Sequence, residues 1–114
     1  MDERLIQHEF GHEADRHYLD PPFDPQIYIR WKEPRFWALN LAWDISLDAR
    51  LAARDWGLGE DYRRTNFYDE VGKHHQYIFD EAWSKRLKTW KEIENLAEEL
   101  HILGRQKSRS RTCT

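Results

Sequence analysis

The chain has 114 residues, of which 39% are hydrophobic and 14% aromatic, and its formal net charge is -3. A chain of this length supports one hydrophobic core, which predicts a single compact domain. The near balance of charges provides no overall field for gripping nucleic acid or an anionic membrane, so neither class of partner is expected.

Cysteine content and hydropathy bear on the compartment. Cys113 is the one cysteine and has no intramolecular disulfide partner, so nothing in the sequence requires an oxidising environment. The first twenty residues carry several acids and arginines, and no run of about 18 apolar residues occurs. We therefore expect a cytoplasmic protein with neither a signal peptide nor a membrane span. The sequence does not indicate an oligomeric state.

The first half of the chain predicts two helices. Residues 3–19 lack proline and carry apolar residues and histidines at helical spacing, until "DPPFDP" ends the element. Residues 26–32, "QIYIRWK", alternate well enough for a short strand, although an irregular turn fits as well. Pro34 then precedes a long helix over 35–56, which "GLG" at 57–59 terminates.

The second half predicts two more helices, so the expected fold class is mainly α with at most one short strand. A third helix covers 66–87 and is interrupted near Gly72. Thr89 and Glu92 form a capping-box pattern that opens a fourth helix, which ends at Gly104. Residues 105–114 contain four cations and no acid, which predicts a basic disordered tail after a domain at 1–104. The predicted core-facing residues of these two helices are Phe67, Val71, Ile78, Phe79, Ala82 and Trp83, followed by Trp90, Ile93, Leu96, Ala97 and Leu100.

The first predicted helix contains the H-E-x-x-H spacing, as His8-Glu9-Phe10-Gly11-His12. Residues four apart lie about 40° apart around a helix and about 6 Å along it, so both imidazoles can reach one Zn²⁺. Glu9 is rotated off their shared line, where its carboxylate can act on water rather than bind the metal. The alternative is a solvated helix with scattered histidines.

The second predicted helix contains a polar stripe, Asn40, Asp44 and Asp48, at steps of four residues. Apolar residues flank this stripe, so its carboxylates are predicted to point inward. Two buried carboxylates one turn apart need a compensating cation, and a metal facing the stripe supplies it. The alternative is that both acids are exposed and pair with a surface cation, for which the candidates are Arg50, Arg54 and Lys73.

The two helices together resemble the gluzincin branch of the zincin metallopeptidases, in which an acid on a second helix is the third zinc ligand. The resemblance implies that His8, His12 and Asp44 bind zinc and that Asp48 accepts a hydrogen bond from the His8 ring. Asp44 stands where the family usually has Glu, which shortens the reach and requires closer helices. The metzincin branch is rejected, because Asp15 and Tyr18 occupy the places of its glycine and third histidine.

Residues 5–51 resemble more closely a group of small metallopeptidase-like domains of bacteria and archaea, with minigluzincins as the nearest architectural comparison. In these domains H-E-x-x-H-x-x-x-x-H is followed by Asn-x-x-x-Asp-x-x-x-Asn/Asp. The pattern adds His17 and Asn40 as neighbours of the metal ligands. The resemblance implies a zincin-like domain over residues 1–104, a zinc cofactor, a peptide or protein substrate, and Glu9 as the general base toward water activated by the metal.

A second function is left open by the sequence. Zincins normally place strands before the active-site helix, and seven residues precede His8 here. The alternative to a peptidase is therefore a non-catalytic, zinc-stabilised helical interaction domain derived from a truncated zincin.

Overall fold

The computed structural model describes residues 3–18 and 35–112, and within them the backbone forms five α-helices and one 3₁₀ turn. The expected mainly α fold class is confirmed, and the possible strand at 26–32 lies outside the described residues. The helices are α1 (Glu3–Tyr18), α2 (Arg35–Ala52), α3 (Glu60–Glu70), α4 (Gln76–Lys85) and α5 (Trp90–Thr112), with the 3₁₀ turn Lys73–His75 between α3 and α4. In the described part of the chain, no helix is long and apolar enough to cross a membrane.

Helix α2 is the central element, since it contacts α1, α3, α4 and α5. Ten of its 18 residues are buried, eight of them apolar, and its most extensive packing is against α5, where the ring centroids of Trp43 and Trp90 lie 4.9 Å apart. The predicted core-facing residues of α3, α4 and α5 are buried, except that Trp83 is half-buried. Burial of these large side chains is the main source of stability of the domain.

Several helix boundaries differ from the sequence prediction, and α2 ends four residues before the predicted Trp56. Helix α2 ends at Ala52, and Gly57 and Gly59 both adopt positive φ in the connection to α3. Helix α3 begins at Glu60, six residues earlier than predicted, with acids in its first turn where they favour the helix dipole. The predicted interruption near Gly72 is confirmed, and the φ of that residue is 125°.

Helix α5 begins as predicted and ends later. The Glu92 amide donates to the Thr89 hydroxyl and the Thr89 amide donates to the Glu92 carboxylate, each at 3.2 Å, which confirms the capping box. The prediction that the helix ends at Gly104 is wrong, because the helical backbone continues to Thr112. One glycine inside a helix costs only about 1 kcal/mol, and basic residues near a helix C-terminus favour its dipole. The division into a domain at 1–104 and a tail stays a prediction.

Helix α1 packs on α2 mainly through polar side chains. Among the described residues, the buried hydrophobic ones all belong to other parts of the chain, and the largest apolar side chains of α1 are exposed, with Phe10 at 70%. Near its C-terminal end, buried Asp15 accepts hydrogen bonds from the Trp43 indole at 2.8 Å and from the Arg50 guanidinium at 2.7 Å. The orientation of α1 is therefore set by hydrogen bonds and ion pairs.

The N-terminal end of α1 is held by the loop after α2. The Gly57 amide donates to the Gln7 side chain at 2.9 Å, and Arg4 donates to the Gly57 carbonyl at 3.2 Å. These contacts fix the first two turns of α1, so the histidines that follow face α2.

Candidate metal centre

The three predicted ligands, His8, His12 and Asp44, converge at the contact between α1 and α2. His12 Nε2 lies 2.9 Å from His8 Nε2 and 2.8 Å from Asp44 Oδ1, and His8 Nε2 lies 3.1 Å from the same oxygen. Ligands on a tetrahedral zinc ion with bonds of 2.0–2.1 Å are separated by about 3.3 Å. The three atoms thus lie slightly closer to one another than the ligands of a single zinc ion, so small outward shifts of the side chains would seat the ion.

The lone pairs of these atoms need a positive partner between them. Asp48 Oδ1 lies 2.9 Å from His8 Nδ1 and, as a carboxylate, accepts the hydrogen that this nitrogen carries. In a neutral ring, His8 Nε2 then presents a lone pair toward the lone pairs of Asp44 Oδ1. Even if His12 Nε2 carries a hydrogen, that one hydrogen cannot fully satisfy both His8 Nε2 and Asp44 Oδ1, so the three atoms fit a bound cation or an added proton.

The pKa values of His8 and Asp44 also indicate that the centre favours a positive charge. Burial lowers the pKa of His8, but hydrogen bonds to Asp44 and Asp48 and the charges of both acids outweigh it and raise the pKa to about 9. Burial raises the pKa of Asp44, but hydrogen bonds from His12 and His8 and the charge of Arg63 hold it well below its usual range. Without a metal, an imidazolium proton on His8 therefore occupies part of the centre.

Arg63, on α3, lies behind both carboxylates and was not predicted. Its Nε donates to Asp48 Oδ2 at 2.9 Å, and one of its terminal nitrogens lies 3.6 Å from Asp44 Oδ2. Asp48 is fully buried and Arg63 is 5% exposed. The alternative of exposed acids paired with Arg50, Arg54 or Lys73 is wrong for Asp48, and Arg50 pairs with Asp15 instead.

Gly11 brings the two helices close enough for the short aspartate side chain. A Cβ atom at this position would lie 2.6 Å from Leu47 Cδ1, inside the van der Waals distance. The missing side chain lets the backbone of α1 approach α2 one residue before His12. This contact agrees with the expectation that Asp44, in place of a longer glutamate, requires closer helices.

The remaining predicted site residues lie apart from this cluster or cannot be placed. Asn40 is exposed, so the inward orientation predicted for its side chain is wrong, and its role as a neighbour of the ligands stays a prediction. The described hydrogen bonds between α1 and α2 involve Trp43, Asp44, Asp48 and Arg50, and Asn40 lies one helical turn before Asp44. Glu9 is exposed on α1 and borders a surface cavity. The side chain of His17 is outside the described part of the structure.

The ligand atoms, the acceptor behind His8 and the guanidinium behind both acids come from α1, α2 and α3. Together they form a candidate centre for one divalent cation, and His8, His12 and Asp44 are the group of side chains whose spacing allows it. No protein-family model, curated protein or solved structure matches this chain, so the function of the centre is inferred from its chemistry.

Proposed function

We propose that this protein is a zinc metallopeptidase that binds one Zn²⁺ through His8, His12 and Asp44. The observation that carries the proposal is the convergence of two imidazole nitrogens and one carboxylate oxygen at 2.8–3.1 Å from one another. The expected substrate is a peptide or a protein.

The chemistry of the donor set favours zinc in a catalytic rather than a purely structural site. Two neutral imidazoles and one carboxylate are typical of catalytic zinc, which keeps a further position open, whereas structural zinc sites use four protein ligands. The side chains of His12 and Asp44 are 17% and 26% exposed, so the centre reaches solvent. Asp48 holds the His8 ring by its Nδ1 atom, which fixes the tautomer that leaves Nε2 for a metal.

When bound, zinc supplies a Lewis acid that polarises a carbonyl and lowers the pKa of water. Glu9 follows His8 directly and is rotated about 100° from it around α1, with its carboxylate open to solvent. In the proposed reaction Glu9 accepts a proton from the attacking water and transfers it to the leaving amine. Asp48 keeps the His8 ring in place throughout.

The test compares Glu9→Gln with Glu13→Gln, an exposed glutamate one turn later on α1 whose Oε2 lies 3.5 Å from Arg16. Zinc content is measured by elemental analysis, and cleavage is measured with quenched fluorescent peptide libraries. We expect Glu9→Gln to keep one zinc per chain and lose cleavage by about 100-fold or more, the usual contribution of a general base. Glu13→Gln should retain both. Full cleavage by Glu9→Gln would contradict the assigned role of Glu9.

The alternative, a zinc-stabilised interaction domain, is favoured by one observation. Leu5, Ile6 and Phe10 expose apolar surface on α1 beside Glu9, and such surfaces often mark contacts with other proteins. This function predicts one zinc per chain and a higher melting temperature with zinc, without cleavage of any library peptide.

A further inference from the structure

Arg63 is a buried cation in the wall of a centre proposed to bind a cation. Its guanidinium contacts Asp48 at 2.9 Å, lies 3.6 Å from Asp44, and donates to the Asn66 side chain at 3.0 Å. A buried arginine beside a metal ion repels that ion, so Arg63 weakens metal binding by its charge alone. Its presence in the wall of the centre therefore needs another explanation.

The charge of the metal-free centre explains the presence of Arg63. Asp44 and Asp48 carry two negative charges one helical turn apart, and Asp48 has no exposed surface. Such a pair is strongly unfavourable without compensation. Arg63 supplies one positive charge, which leaves a formal charge of -1 when both histidines are neutral.

Arg63 contacts one oxygen of each carboxylate and leaves the other oxygen of each facing the histidines. It lies beside the Oδ2 atoms of both acids, whereas the Oδ1 atom of Asp48 faces His8 Nδ1 and the Oδ1 atom of Asp44 faces the two Nε2 atoms. The guanidinium donates a hydrogen bond to Asp48, and its charge attracts Asp44 Oδ2 from 3.6 Å. Asp44 is thereby aimed at the ligand position through one oxygen.

We propose that Arg63 is a positioning residue that allows the centre to assemble without metal. It substitutes for part of the metal charge, compensates the two buried acids, and leaves Asp44 Oδ1 facing the ligand position. This inference rests on the proposed metal site, and it predicts that the domain folds before loading, unlike domains whose folding requires zinc.

The test measures melting temperature and zinc affinity for the wild type, Arg63→Gln, Arg63→Lys and Arg64→Gln. Arg64 is a matched control, because it is the next residue on α3 and pairs with Glu60 and Asp80 outside the centre. Melting is followed in chelator and in saturating zinc. Competition with a chromophoric chelator gives the zinc dissociation constant, and the visible spectrum of bound Co²⁺ reports the ligand geometry.

In chelator, we expect the wild type to be folded and Arg63→Gln to melt about 10 °C lower or more, because Asp48 loses its buried cation. Zinc should raise the melting temperature of Arg63→Gln more than that of the wild type. Arg63→Lys keeps the charge without the planar donors, so it should recover part of the stability and shift the Co²⁺ spectrum. Arg64→Gln should show the zinc response and spectrum of the wild type.

Two results would overturn the proposal. One is an Arg63→Gln protein with the melting temperature of the wild type in chelator. The other is a decrease in melting temperature of equal size with and without zinc, which is expected of a structural arginine unconnected to the centre. If Arg63→Gln cannot be purified folded, Arg63→Gln combined with Asp48→Asn removes the charge together with its partner. We expect this double variant to fold in chelator, and its failure to do so also contradicts the proposal.

The proposed function fails on a different measurement. A wild type that binds no zinc refutes the metal site, whereas the comparison of Arg63→Gln with the double variant in chelator still tests the compensation of buried charge.

Discussion

Replacement of Gly11 by alanine tests whether close contact of α1 with α2 makes the centre. The added Cβ would lie 2.6 Å from Leu47 Cδ1 and 3.1 Å from Leu47 Cδ2, and Leu47 is buried at 2% exposure. An ordinary contact of about 3.5 Å requires Leu47 or the α1 backbone to move by about 1 Å. His12 Nε2 lies 2.8 Å from Asp44 Oδ1, so a shift of α1 by this amount can bring the two atoms to about 3.8 Å, beyond the separation of about 3.3 Å expected of two zinc ligands.

Two opposing terms set the effect of Gly11→Ala on stability. Alanine improves helix propensity by about 1 kcal/mol. Overpacking costs about 1–3 kcal/mol. We therefore expect little change or a loss of up to about 2 kcal/mol in the free energy of unfolding without metal. The zinc dissociation constant should rise by about 10-fold or more, equivalent to about 1.4 kcal/mol, because one ligand is misplaced.

The assay is competition for zinc against a chromophoric chelator, with stability measured in denaturant. The control is Gly11→Ala combined with Leu47→Ala, which removes the clashing atoms. A buried leucine truncation alone costs about 2–5 kcal/mol, so the double variant should be unstable yet bind zinc nearly as tightly as the wild type. If Gly11→Ala alone binds zinc with the wild-type dissociation constant and is more stable, helix propensity accounts for the whole effect. The proposed dependence of the centre on close contact between α1 and α2 is then refuted.

Three further predictions concern the acids and the titration of the centre. Asp44→Ala should abolish stoichiometric zinc binding. Asp48→Asn should weaken zinc binding by about 10- to 100-fold, because Asp48 is the hydrogen-bond partner of the ligand His8. If Asp44→Ala keeps zinc and Asp48→Asn loses it, the two roles are reversed. Asp15→Asn should lower stability by about 2–4 kcal/mol equally with and without zinc, because it weakens a buried partner of Arg50 and Trp43 outside the ligand set; a selective loss in zinc would connect it to the metal. In chelator, the pKa of His8 is raised from 6.5 to about 9, so its stabilising proton is fully effective below about pH 6.5 and is lost as the pH rises through about 9, a contribution of at most about 3 kcal/mol. The lowered pKa of Asp44 acts in the opposite direction, being effective above about pH 4 and lost in acid, so metal-free stability in thermal melts should be greatest between about pH 4 and 6.5, and His8→Gln should flatten the alkaline limb. A metal-free wild type whose stability is constant from pH 6 to 9.5 would contradict this assignment.

The sequence was most informative where helical periodicity alone decides an arrangement. The spacing of His8 with His12, and of Asp44 with Asp48, places each pair on one side of its own helix, and the structure brings these two sides together. Periodicity gives direction around a helix but not how far a neighbouring helix extends along it. Asn40 is in register with the two acids, yet its side chain is exposed, so the inward orientation predicted from the stripe is wrong for this residue.

Two contributors to the centre depend on contacts between distant segments. Arg63 and Arg64 are adjacent in the sequence and chemically identical, and only packing of α3 against α2 makes the first a buried partner of Asp48. Gly11 reads as an unfavourable residue within a helix until its contact with Leu47 is known. The capping box at Thr89 and Glu92 was predictable because both partners lie within one turn.

The polar attachment of α1 has a consequence for the rate of metal exchange. Two of the three proposed ligands are on α1, which contributes no buried hydrophobic residue within the described chain, whereas the third is on α2 in the core. Segments with little apolar burial open more readily than the domain as a whole. If zinc is bound as proposed, it would leave when α1 detaches, so its release would be timed by the opening of that helix and would not depend on chelator concentration once the chelator is in excess.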